Sequence, residues 1–272
     1  FRPWILSLEE CVLNLEVRRI FLKFSVLTIT GTVNGKAMEN PVRMQHPIFM
    51  KTKENLEDKF FEEYGIPTVG CPGTIDNDIF GTDYTIGFDT AVNTALEAID
   101  KIRDTAAAHD RIFFVEVMGR DAGFIAVESG IGGGAEFVMV PETETKIDQV
   151  VKSLGNLRKS KSSSIIVVAE GHSLGSADEI MKMVKEKIKD PNKEFKVTTL
   201  GHIQRGGKPT ARDRVLASRC GMAAVEGLLD GKTNCMAGVM KMEVVYTPFA
   251  DCIGRPKPLI PDHIKLINIL SI

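Results

Sequence analysis

From Glu62 onward the chain alternates short apolar runs with segments of helical period, and this feature limits its fold more than any other. The runs at 66–70, 111–117, 136–140, 164–169 and 195–200 have the length and apolar content of buried strands. Between them, apolar residues recur every three or four positions. In 89–104, for example, Val92, Leu96, Ile99 and Ile102 form one stripe while Asp100, Lys101 and Arg103 take the other face. Further helices are expected from about 123 through Ser129, near 145–158, near 176–189, at 211–229 and at Pro261–Leu270, and 236–240 and 243–246 are expected to pair as strands. Such alternation predicts an α/β fold of two doubly wound, mostly parallel lobes with a cleft between them, which 272 residues can fill.

Residues 1 to about 60 lack that grammar. A helix over Ile5–Leu15 and a strand from Ile20 to Thr30 are expected there, without any glycine pattern for holding phosphate. Glu9, Glu10, Glu16, Arg18, Arg19 and Lys23 interrupt the apolar residues, so neither a signal peptide nor a membrane span fits this segment. The chain starts at Phe1, which suggests a processed product, a trimmed chain or a fragment.

With 34 basic and 36 acidic residues the net charge is −2, which excludes a general affinity for nucleic acid or anionic membrane. The five cysteines are widely spaced, contain no Cys-x-x-Cys pair and predict neither a zinc site nor a disulfide framework. A reducing cytoplasm is the expected setting. The charge run from Lys182 to Asp190 reads as a solvated helix face.

Four loops gather groups that can do chemistry, each after an expected strand, where open α/β sheets place their sites. The first is Pro72-Gly73-Thr74-Ile75-Asp76-Asn77-Asp78, whose two carboxylates can divide proton transfer and metal binding, or else form an Asx-rich turn. In Met118-Gly119-Arg120 a glycine permits close backbone approach and a guanidinium suits phosphoryl oxygens, although such an arginine also serves surface ion pairs. Gly201-His202-Ile203-Gln204-Arg205-Gly206-Gly207 can hold a phosphate with paired donors, or can be a glycine turn after a strand. Glu170 ends an apolar strand and is placed either to accept from sugar hydroxyls or to face solvent. Together they point to an enzyme of sugar phosphates that transfers a phosphoryl group.

The motifs at 72–78, 117–120 and 201–207, with Gly81-Thr82-Asp83-Tyr84-Thr85-Ile86-Gly87 and Asp213-Arg214-Val215-Leu216-Ala217-Ser218-Arg219 between and after them, resemble bacterial-type ATP-dependent 6-phosphofructokinases from about residue 60 to 272. The resemblance implies a fold of two phosphofructokinase lobes, the first incomplete at its N-terminus. Residues 61–87 and 203–255 would be what remains of the larger, nucleotide-side lobe; 88–202 and 256–272 would be the sugar-phosphate lobe, and 1–60 is unmatched.

It also implies roles. Asp76 falls where the family keeps the base that deprotonates the 1-hydroxyl of fructose 6-phosphate, Asp78 matches a carboxylate near Mg2+, and Thr74 and Arg120 flank the phosphoryl group in transfer. Met118, Gly119 and Glu170 line the sugar, and His202 and Arg205 cradle its 6-phosphate. Arg111 matches an arginine supplied by a neighbouring subunit, which implies a homotetramer or at least a dimer. Lys196 stands where the family has an arginine that reaches the neighbour's phosphate, so the charge stays and the bidentate fork is lost. Arg103, Glu136, Lys159 and Lys161 match half of a nucleotide effector site. Gly73, where pyrophosphate-dependent relatives carry lysine, favours ATP as donor.

The family's Gly-Gly-Asp-x-Pro-Gly and Gly-Gly-Asp-Gly-Ser motifs, which hold ATP phosphates and magnesium, do not occur in residues 1–60. Two functional expectations follow: a kinase making fructose 1,6-bisphosphate, or a non-catalytic sugar-phosphate-binding or regulatory chain without the ATP site.

Overall fold

A computed structural model of the chain describes residues 67–106, 111–155 and 163–270. The helix and strand expected within residues 1–60 lie outside this set. The described residues fall into two compact units: those of 67–74, 79–87 and 209–256 in one, and those of 75–78, 88–208 and 257–270 in the other.

The first unit is a mixed sheet backed by helices. Strands β1 (Val69–Gly70), β6 (Cys235–Met240) and β7 (Glu243–Pro248) lie in the order β1-β6-β7, the first pair parallel and the second antiparallel. Of the expected strand 66–70, only two of the described residues pair as a strand, and hydrogen bonding gives the reason. Pro67 has no N–H to give, and the Thr68 N–H is taken by the Thr233 hydroxyl at 3.1 Å. Helix α5 (Ala211–Leu229) starts at Thr210, whose hydroxyl accepts the Asp213 N–H, and packs Leu216, Cys220, Ala223 and Ala224 on Val69, Ala237 and Val239. Burial there pushes the Cys220 thiol up to about 11 and leaves it a small apolar filler. The short helix α6 (Phe249–Gly254), unanticipated in the sequence, buries Phe249 and Cys252 beside Ile79 and Met236.

The second unit carries four parallel strands: β2 (Arg111–Val117), β3 (Phe137–Met139), β4 (Ser163–Ala169) and β5 (Glu194–Thr199), in the order β3-β4-β2-β5. Alternation along β2 and β4 sends Ile112, Phe114, Ile166 and Val168 to one face, where they pack with Val150, Leu154, Ile180 and Val184 of helices α3 (Ile147–Gly155) and α4 (Ala177–Ile188). Phe113, Val115, Ile165 and Val167 are therefore buried on the opposite face, where α1 (Phe88–Ala106) and α2 (Phe124–Gly132) contact these strands. Helices on both faces make this sheet doubly wound, and the near-continuous apolar strands are what such burial requires. Helix α4 has a reciprocal cap: the Ser176 hydroxyl accepts the Glu179 N–H and the Glu179 carboxylate accepts the Ser176 N–H. Its Lys182, Lys185, Glu186 and Lys187 face solvent. Helix α7 (Pro261–Leu270) packs against α2.

Candidate functional site

Because β4, β2 and β5 are neighbours running in the same direction, the loops that leave their carboxyl ends must emerge side by side. Those loops hold Glu170, Met118-Gly119-Arg120 and His202–Arg205. The ladder itself runs to the last rung, with the Glu170 N–H on the Val117 carbonyl and the Leu200 N–H on the Glu116 carbonyl, both at 3.0 Å.

Past that rung the turn after β2 is held by side chains. Glu170 Oε1 accepts the N–H groups of Gly119 (3.3 Å) and Arg120 (2.9 Å), Gln204 Oε1 accepts that of Met118 (2.8 Å), and Glu142 Oε1 accepts that of Gly123 (2.8 Å). The turn folds tightly because Gly119 sits at φ +146°, where a Cβ would lie 2.3 Å from the Ala122 carbonyl oxygen. Gly171 approaches as closely: a Cβ there would lie 1.9 Å from the Arg120 carbonyl oxygen. Arg120 itself adopts φ +52°, a left-handed conformation that a non-glycine residue holds only when its surroundings fix it.

The backbone donors of residues 118–120 are thus committed within the unit, and the side chains are left to meet a ligand. Arg120, His202 and Arg205 are exposed, and their side chains make no hydrogen bond or ion pair among the described residues. Three donors, two of them permanently cationic, therefore stand at one end of one sheet beside the outward-facing carboxylate Glu170. Met118, in the same turn as Arg120, is 5% exposed. Such a group can hold a phosphorylated, hydroxyl-bearing molecule.

The aspartate loop joins this unit through a lysine that the motif reading passed over. Lys257 Nζ donates to Asn77 Oδ1 at 2.9 Å and lies 5.2 Å from the ring centroid of Phe124, the first residue of α2, four positions after Arg120. Asn77 is buried with φ +56°, which turns its neighbours to opposite environments: Asp76 is 5% exposed and Asp78 faces solvent. Thr74 belongs to the other unit, where its carbonyl accepts the Thr85 hydroxyl at 2.6 Å.

Two of the expected phosphate ligands are elsewhere. Arg111 opens β2 and Lys196 sits near the start of β5, toward the amino end of the sheet, and both are held by Glu194. Arg111 Nε donates to Glu194 Oε2 at 2.5 Å and Lys196 Nζ to Oε1 at 2.6 Å, and these bonds, from Lys196 first and Arg111 second, pull the Glu194 carboxyl down to about 2. Of the expected effector residues, Arg103 donates to the carbonyls of Gly133 (2.6 Å) and Gly134 (2.9 Å). The carboxylate of the wholly buried Glu136 accepts the Ile165 N–H. Lys159 and Lys161 lie outside the described residues.

Gln204, Glu142, Lys257 and Glu194 each make a bond here to a residue 19 to 180 positions away, Glu194 to Arg111 besides the nearby Lys196, and only Gln204 lies inside a motif that the sequence marks.

Comparison with known proteins adds the kinship. Residues 51–228 match the family model described as Phosphofructokinase. An ATP-dependent 6-phosphofructokinase of Cytophaga hutchinsonii is 56% identical over 213 residues, 78% of this chain and 64% of that protein. ATP-dependent 6-phosphofructokinase 1 of Thermus thermophilus is 53% identical over 212 residues, 78% of this chain and 65% of that protein. The solved phosphofructokinase of Saccharomyces cerevisiae superposes with a TM-score of 0.62 at 33% identity, covering 67% of this chain and 25% of that one. The chain spans just under two thirds of the length of these two bacterial relatives.

Proposed function

The chain belongs to the phosphofructokinase family, and from that premise we propose that it binds fructose 6-phosphate at the carboxyl end of β4, β2 and β5 and phosphorylates its 1-hydroxyl with MgATP. The observation that carries this reading is the trio Arg120, His202 and Arg205, exposed and without side-chain partners among the described residues, beside Glu170. His202 and Arg205 bind the 6-phosphate, Arg205 as a two-pronged donor. Met118 and Gly119 line the sugar and Glu170 accepts from its hydroxyls.

Asp76 takes the proton from the 1-hydroxyl. The oxygen then forms its bond to the γ-phosphorus as the bond from that phosphorus to the bridging oxygen breaks, and ADP leaves with the electron pair. The difference in burial between Asp76 and Asp78 suits this division, one carboxylate shielded for proton transfer and one facing water. Arg120 stabilises the charge that spreads over the transferring group.

Among the described residues no three His, Cys, Asp or Glu side chains cluster as a metal cage. Mg2+ fits such a site, since it keeps several waters and needs only one or two carboxylates with substrate phosphates. Asp78 would hold it, and the ion would neutralise phosphate charge. Arg111 and Lys196 serve a neighbouring copy's 6-phosphate in a homo-oligomer, Arg103 with Lys159 and Lys161 takes a nucleotide effector while Glu136 stays buried on the Ile165 N–H, and the setting is the cytoplasm. No described helix is long and apolar enough to cross a membrane.

A second reading, sugar-phosphate binding without turnover, is favoured by the absence of both Gly-Gly-Asp motifs from residues 1–60. A coupled assay with fructose 6-phosphate and MgATP, run beside calorimetric titration of fructose 6-phosphate, separates the two. Binding with turnover supports the kinase and binding without turnover supports the second reading. No heat at millimolar fructose 6-phosphate refutes both. Where turnover is seen, Asp76→Asn is expected to lower kcat by at least about a hundredfold, the usual weight of a general base, with fructose 6-phosphate affinity changed little. Unchanged turnover would remove Asp76 from that role.

A further inference from the structure

On the 3₁₀ turn Gly201–Arg205 one residue faces the wrong way for its type. His202 and Arg205 are exposed and Ile203 is 58% exposed, yet the polar Gln204 is 1% exposed. Its Oε1 accepts the Met118 N–H at 2.8 Å while both hydrogens of its Nε2 are buried without a partner among the described residues. Flipping the amide would set its N–H groups against the Met118 N–H, so this bond fixes the orientation.

Burying an amide half-satisfied is costly, and an apolar side chain would avoid that cost at once. The apolar choice would orphan the Met118 N–H instead, at the point where β2 and β5 stop pairing. The last rung of their ladder is the Leu200 N–H on the Glu116 carbonyl. Beyond it one strand enters the Arg120 turn and the other enters the turn of His202 and Arg205. Gln204 makes the next bond between them.

We propose that Gln204 is a positioning residue: by locking the Met118-Gly119-Arg120 turn to the Gly201–Arg205 turn, it fixes Arg120 relative to His202 and Arg205. A ligand that must reach both turns then meets one rigid surface, whereas a ligand held by the 3₁₀ turn alone does not feel the lock. For the identity of the two-ended ligand, fructose 6-phosphate, the inference rests on the function proposed above.

The test uses the full chain with Gln204→Met, which removes the acceptor, and Gln204→Glu, which keeps a carbonyl acceptor and removes the unpartnered N–H groups. Amide hydrogen exchange is followed at Met118, with Val115 in mid-strand as internal control. Fructose 6-phosphate and inorganic phosphate are titrated calorimetrically.

Gln204→Met is expected to speed Met118 exchange by about tenfold or more, with Val115 unchanged, and to weaken fructose 6-phosphate by about tenfold, as loss of one well-placed hydrogen bond would. Inorganic phosphate should stay within about twofold, and Gln204→Glu should keep both Met118 protection and sugar-phosphate affinity. Three results would overturn the proposal: Met118 exchange unchanged in Gln204→Met, equal weakening of both ligands, or lost Met118 protection in Gln204→Glu. The last arm decides the matter even if Gln204→Met fails to fold. If the parent chain binds no fructose 6-phosphate, the proposed function falls while the exchange comparison still decides whether the lock exists.

Discussion

Gly171→Ala is the smallest change that should disorganise the site without touching any side chain assigned to ligand. The added Cβ would sit 1.9 Å from the Arg120 carbonyl oxygen, 2.8 Å from its carbonyl carbon and 3.3 Å from Asp121 Cα. Real Cβ contacts start at about 3.0 Å, so the turn must open by a little over 1 Å, and since the obstacle is backbone no rotamer change can absorb it. The two bonds from Gly119 and Arg120 to Glu170, at 3.3 and 2.9 Å, would both pass the limit of a hydrogen bond.

Overpacking of this kind costs about 1–3 kcal/mol, and a bond to a carboxylate about 1.5–3 kcal/mol before discounting for water reaching the exposed Glu170. A net loss of about 2–3 kcal/mol is expected, or roughly 6–12 °C in the melting of the parallel-sheet unit, with fructose 6-phosphate affinity falling as Arg120 moves. Scanning calorimetry and amide exchange at Gly119 and Arg120 read both effects. Gly155→Ala is the control: a Cβ there meets nothing within 4 Å, and the change should be neutral or stabilising by up to about 1 kcal/mol. A Gly171→Ala protein that melts within about 2 °C of the parent, with Arg120 still protected, would refute the account of the turn.

His172 offers a test in pH. The residue is 4% exposed, Nδ1 accepts the Leu174 N–H, Nε2 has no partner among the described residues, and burial lowers its pKa below the ordinary value of 6.5. The unfolded chain therefore takes up this proton first, so stability should fall as pH drops below about 6.5, down to the depressed folded-state value. His172→Asn, which can accept the same N–H, should flatten that slope; an unchanged slope in unfolding curves would acquit His172. Glu194 should titrate near 2 by NMR, and Lys196→Gln and Arg111→Gln should each move it up toward 4.5. Because the folded value is the depressed one, the triad's contribution is present above about 4.5 and lost as pH falls toward 2. A parent midpoint near 4.5 would dissolve the triad.

How far the sequence could be read depended on how far each signal travels along the chain. Strands 111–117 and 164–169, the second observed as 163–169, and helix 211–229 were legible because their patterns are local, runs of Val, Ile and Phe in one case and a helical period in the other. Strand 66–70 was overread because its apolar residues do not reveal that Thr68 gives its N–H to Thr233, 165 positions away. The loops at 72–78, 118–120 and 201–207 were legible as glycine-rich motifs after strands. What holds them was not: Lys257 on Asn77 and Gln204 on Met118 are single bonds between distant segments, with no period or spacing to mark them.

The placement of Arg111 carries the argument one step further than any motif. It opens β2, whereas Met118 follows the end of the same strand, and at about 3.3 Å per residue the two lie roughly 20 Å apart. An arginine side chain cannot span that distance, so Arg111 and His202 of one chain cannot hold the same phosphate. Lys196 shares the amino-end position through the same carboxylate, Glu194. One sheet therefore carries two sets of side-chain donors at opposite ends, Arg111 and Lys196 at one and Arg120, His202 and Arg205 at the other. In the proposed assignment they meet on a single sugar phosphate only when two copies dock amino end to carboxyl end. In that same assignment, Glu194 holds the two cations that a neighbour's phosphate would claim.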